Sequence, residues 1–149
     1  MNRDFVEMLS ALLEARAEFL VVGAHALAAH GVPRATGDLD IWVRSEGGNS
    51  DRVLAALESF GAPLFDLTRE DLLRPGTIFQ IGVVPSRIDI LTSISGVTFE
   101  RAWANRCAVT IEGLSIPVLG REEFIANKRA VGRPKDVADL ALLEEAEGR

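Results

Sequence analysis

Two aspartates separated by one residue, Asp38 and Asp40, stand at the head of the apolar run DLDIWV. Side chains two apart on a strand share a face, so both carboxylates project together while Leu39 and Ile41 turn toward a core. Such carboxylates repel and raise each other's pKa unless a cation sits between them. The common reason to build the pair is a divalent metal with oxygen ligands. A two-metal phosphoryl-transfer site needs a third carboxylate from a neighbouring strand. Asp89 in RIDIL is the candidate, because Ile88 and Ile90 alternate with it and turn it away from the core side; its structural alternative is an ion pair with Arg87. With the two strands adjacent, three carboxylates converge at one sheet edge, the ligand set that two Mg²⁺ ions and a nucleoside triphosphate require.

The elements that must hold these residues follow from periodicity and turn chemistry. From Asp4 to Ala17, Phe5, Met8, Leu9, Leu12 and Leu13 recur at helical spacing, an amphipathic cover helix. Phe19 to Val22 reads as a short buried strand ending at Gly23, and the alanine-rich stretch Ala24 to His30 as a helix stopped by Gly31. Val32 to Gly37 is a loop, Asp38 to Val43 the second strand, Ser45 to Asp51 a polar turn and Arg52 to Phe60 a helix. Thr77 to Val83 and Arg87 to Ile94 form a hairpin around Pro85 and Ser86. A helix over Phe99 to Arg106 precedes short strands Cys107 to Glu112 and Leu114 to Val118. Two helices end the chain, Glu122 to Val131 closed by Gly132, and a second begun by Pro134 and running to about Ala146.

The 149 residues, 48% hydrophobic and 26% charged, fit one domain spanning 1–149, with no repeat or linker. The lone Cys107 excludes an internal disulfide framework and reads as a buried thiol in a cytoplasmic protein. No apolar run approaches the roughly 20 residues that span a bilayer, so no membrane association is expected. A net charge of −6 argues against broad adhesion to nucleic acid but leaves room for a local basic patch that binds one triphosphate or one RNA end. His25 and His30 have no local carboxylate partner and are expected on the helix surface or at its cap.

At this point the sequence resembles a known group. VVGAHALAAHGVPRATGDLDIWV is similar to the first motif of the nucleotidyltransferase fold superfamily: a strand, Gly followed by Gly or Ser, a short helix, then a DxD or DxE strand. Gly23, Asp38 and Asp40 match it, Asp89 matches the third carboxylate, and Ala24 stands where a second Gly or Ser is usual. NKRAVGRPKDVADLALL, from Asn127 to Leu143, resembles the C-terminal helical motif of the minimal and abortive-infection (AbiEii-type) toxin branch, the type IV toxin–antitoxin nucleotidyltransferases.

The resemblance implies an α/β (α+β) fold, a small mixed sheet covered by helices, with a C-terminal helical pair closing the cleft. It implies Asp38, Asp40 and Asp89 as metal ligands and catalytic residues, two Mg²⁺ ions, and an NTP held near Gly23, Ala24 and Lys128. Arg133 and Lys135 would line the same cleft and Arg34 would meet a leaving pyrophosphate, since positioned cations stabilise a transferring phosphoryl group. RPKD also has a structural explanation: Pro134 starts a helix and Asp136 offsets its dipole, while Asp139 is expected to pair with a neighbouring cation. The implied reaction moves a nucleoside monophosphate to a hydroxyl or phosphate acceptor on tRNA, protein or a small molecule, and a toxin would have a cognate antitoxin. The rival from another class is a non-catalytic nucleotide- or partner-binding module. A haloacid-dehalogenase phosphatase would place its DxD after a hydrophobic strand, whereas Arg34, Ala35, Thr36 and Gly37 precede this one.

Overall fold

The computed structural model describes residues 1–34 and 36–148. Ala35, within the expected loop Val32 to Gly37, and the terminal Arg149 lie outside the described residues. The chain opens with helix α1 (Arg3–Glu14), whose N-terminus is capped by the Asn2 side chain accepting from the Asp4 N–H at 2.8 Å. It buries Phe5, Met8, Leu9 and Leu12, the stripe expected from spacing. Strand β1 (Phe19–Val22), helix α2 (Gly23–Ala29) and strand β2 (Asp38–Val43) follow as anticipated.

Next come α3 (Gly47–Phe60), α4 (Arg69–Leu73), β3 (Ile78–Ile81), β4 (Arg87–Leu91), α5 (Phe99–Ala104), β5 (Cys107–Ile111) and β6 (Leu114–Val118). Helices α6 (Arg121–Val131) and α7 (Pro134–Glu147) close the chain. The six strands form one mixed sheet in the order β3-β4-β2-β1-β6-β5. β1 runs antiparallel to β2 and parallel to β6, and β2 runs parallel to β4. The hairpins β3–β4 and β5–β6 form the two ends of the sheet. Trp42, which shares a face with Asp38 and Asp40, meets Phe99 edge-on at 5.0 Å, so α5 covers the far end of the aspartate face. Among the described residues no helix is long and apolar enough to cross a membrane.

Three expectations need correction. The aspartate strands are not at a sheet edge: β2 and β4 are interior strands, because β3 pairs on the outer side of β4 and β1 on the other side of β2. Cys107 is not a buried thiol but exposed, since it begins the edge strand β5, most of whose residues are solvent-facing. The polar segment Ser45 to Asp51 is a turn only in its first residues, for helix α3 begins at Gly47 despite two glycines of poor helix propensity.

Tertiary hydrogen bonds override that propensity. The Asn49 side chain, 1% exposed, accepts from the Glu18 N–H at 2.6 Å and donates to the carbonyls of Glu18 and Arg44, each at 3.0 Å. It thus satisfies three backbone groups where β1 and β2 meet the start of α3. Asn49→Ala is expected to lower unfolding free energy by about 2–4 kcal/mol, since it strands those buried groups. Urea denaturation checks this, and a loss below about 0.5 kcal/mol would show the first turn of α3 to be held by something else.

Candidate active site

Strand alternation and parallel pairing put four charged side chains in two rows on one face of the sheet. Asp38 is in register with Arg87 and Asp40 with Asp89, while Leu39 and Ile88 pair on the opposite, buried face. The first row is neutral as a pair. The Arg87 guanidinium reaches Asp38 through Nη2 at 3.0 Å and leans toward Asp89, with Nε 3.5 Å from Oδ1. Asp89 is therefore both the third carboxylate and an ion-pair partner of Arg87. Arg87 was readable in RIDIL, two residues before Asp89 and so on its face. Only the β2–β4 register, however, sets it opposite Asp38.

The second row sets two acids side by side. Burial, then the charges of Asp89 and Asp38, push the Asp40 carboxyl up to about 6, more than Arg87 can offset. Burial also raises Asp89, against the pull of Arg87. Contact between the two carboxyls favours the protonated form of Asp40 and the ionised form of Asp89. Oδ1 of Asp38 and Oδ1 of Asp89 are buried without a hydrogen-bond partner, a costly state for charged oxygens.

Gly23 forms the floor of this site. Its φ of +67° is the left-handed region that side chains disfavour, and a Cβ there would lie 2.3 Å from Asp40 Oδ2. Backbone conformation and the close Asp40 carboxylate both demand glycine. Ala24 follows it in the first turn of α2 and is half-buried.

The cations expected to meet phosphates form a second cluster with carboxylates of α7. Lys128 Nζ lies 3.2 Å from Asp136 and 3.6 Å from Asp139, and Arg34 reaches Asp139 at 2.7 Å. Asp139 thus pairs with cations, as expected, and ties the loop before β2 to the α6–α7 pair. Asp136 accepts from the Arg133 backbone N–H at 3.1 Å and from its Nε at 2.8 Å, which explains Arg133 as part of the α7 cap. The guanidinium and Lys128 hold the Asp136 carboxyl far below its usual range. Lys135 is exposed. Both histidines are structural. His25 stacks edge-on with Phe5 at 5.7 Å and is kept neutral chiefly by burial; the His30 ring meets the Leu119 carbonyl at 2.8 Å.

The donor chemistry suits a hard divalent cation: three carboxylates, two of whose oxygens are buried without a hydrogen-bond partner. As placed, no three His, Cys, Asp or Glu side chains among the described residues enclose a metal position. The Arg87 guanidinium is in contact with both Asp38 and Asp89 there.

The raised Asp40 carboxyl has a defined sign. Between its ordinary pKa near 4 and about 6 the folded state holds a proton that the unfolded chain has released, so stability falls as pH rises through that window. Relative to Asp40→Asn, the metal-free protein should lose on the order of 2 kcal/mol between pH 4 and pH 7. Urea titrations across pH check it, and parallel profiles for the two proteins would contradict it. Gly23→Ala should cost about 1–3 kcal/mol through strain and displacement of Asp40. Its crystal structure should show the Asp40 carboxylate moved, and an unmoved carboxylate would contradict the contact.

No protein-family model and no curated protein matches the chain. Among solved structures, it is similar to a protein from Thermotoga maritima described as a "putative nucleotidyltransferase", at 17% sequence identity and a TM-score of 0.63. The similarity covers 99% of this chain and 92% of that one. A likeness that extends over both chains at such low identity speaks to architecture: the mixed sheet with its helical cover is a nucleotidyltransferase-like fold.

Proposed function

We propose that this protein is a metal-dependent nucleotidyltransferase, and the observation that carries the reading is the meeting of Asp38, Asp40 and Asp89 beside the Gly23 turn. Adjacent parallel strands hold the three carboxylates on one face of a nucleotidyltransferase-like fold. Asp38, Asp40 and Asp89 would hold Mg²⁺. When bound, the metal supplies charge neutralisation at the phosphates and orientation of the triphosphate. In the transfer, an acceptor oxygen forms a bond to the α-phosphorus, the α–β anhydride bond breaks, and pyrophosphate leaves with the electron pair. Asp89, buried on the same face as the other two, would take the acceptor's proton. Gly23 and Ala24 would let the backbone approach the phosphates, and Arg34, Lys128, Arg133 and Lys135 would face the triphosphate and its leaving group from the C-terminal side.

The resemblance of the Asn127 to Leu143 segment favours the AbiEii-type toxin branch, with tRNA, a protein or a small molecule as acceptor and an antitoxin as partner. One observation favours a non-catalytic binding module instead: Lys128, Arg34 and Arg133 are each already matched by Asp136 or Asp139. The protein incubated with Mg²⁺, each α-labelled NTP and total RNA should give labelled product, and Asp38→Ala or Asp40→Ala should lower the rate at least about 100-fold with the fold intact. Undiminished transfer by either variant would contradict the assignment. Calorimetric NTP binding without any labelled product would support the module.

A further inference from the structure

Arg87 has no assigned part in the chemistry above, yet its guanidinium makes the cationic contacts to both Asp38 and Asp89. Its hold is uneven. The Asp38 contact is a hydrogen bond at 3.0 Å, but the Nε–Asp89 contact at 3.5 Å is an ion pair only, and Nε is buried without a hydrogen-bond partner. The side chain is 34% exposed, so it has an open path out of the row. A monovalent, planar cation bridges two carboxylates less strongly than a divalent ion does, and beside Arg87 one oxygen each of Asp38 and Asp89 stays buried without a hydrogen-bond partner.

We propose that Arg87 is a placeholder cation: it bridges Asp38 and Asp89 when no metal is bound and must give up that position when a divalent ion takes the same oxygens. The inference rests on the metal-binding part of the function proposed above. It makes Arg87 a positioning residue that sets the threshold for loading. At low metal the site stays closed by an internal ion pair, and a nucleotide that arrives with its own metal tips the exchange. Once displaced, the guanidinium stays tethered beside the site, where a phosphate oxygen can replace the carboxylate it lost.

The test is Mn²⁺ binding to the nucleotide-free protein, followed by electron paramagnetic resonance, for the wild type, Arg87→Met and Arg87→Lys. Arg87→Met removes the competing charge and should bind Mn²⁺ about tenfold tighter or more. Arg87→Lys, which keeps the charge but cannot bridge, should fall between. Melting without metal guards against misfolding: Arg87→Met should melt lower than the wild type in chelator and gain more on adding Mn²⁺. A merely structural arginine would lower metal affinity on removal, so equal or weaker Mn²⁺ binding by a folded Arg87→Met overturns the proposal while leaving the metal site standing. Absence of Mn²⁺ binding in all three proteins overturns both.

Discussion

The constraint on which the site depends is the parallel register of β2 and β4, which forces Asp40 to lie directly opposite Asp89. Like charges opposite each other on neighbouring strands destabilise a sheet, and here they are also partly withdrawn from water. The structure meets that cost in two ways. The upward shift of Asp40 favours a neutral carboxyl in the second row, and Arg87 relieves the first. Neither satisfies Oδ1 of Asp38 or Oδ1 of Asp89. A fold that needed only stability would replace these acids with apolar or neutral residues. The proposed divalent cation would offset the cost of placing these acids together.

The surroundings serve that row of acids. Leu39, Ile41, Ile88 and Ile90 are buried on the opposite face and pin the register, because a slip of one residue in either strand would turn its own pair to the other face. Gly23 admits the Asp40 carboxylate where any side chain would collide. Farther out, Asp139 joins Arg34 to Lys128, so a buried carboxylate bridges the loop entering β2 and the C-terminal helix pair. The cations are therefore pre-positioned near the loop that leads to Asp38, at the expense of being neutralised by α7.

Much of this was legible in the chain because alternation and turn chemistry are local. The buried α1 stripe, the Gly23 turn, the DLD strand and the Asp89 strand all follow from residues within a few positions of one another. What escaped was set by tertiary context. The start of α3 depends on Asn49 reaching Glu18, 31 residues away, and the exposure of Cys107 depends on which strand lies at the sheet edge. Helix α4, held by a Thr68–Asp71 capping box, is too short to show a period. The role of Arg87 needed the strand register, since only pairing reveals that it faces Asp38.

The central claim is that the three carboxylates form one metal-binding site for a nucleoside triphosphate. The most direct measurement is anomalous diffraction from crystals soaked with Mn²⁺ and a non-hydrolysable NTP. The predicted result is anomalous density bounded by Asp38, Asp40 and Asp89, with the triphosphate beside Gly23 and the Arg87 guanidinium withdrawn. Nucleotide bound elsewhere, with no anomalous density among the three carboxylates and Arg87 still bridging Asp38 and Asp89, would contradict it.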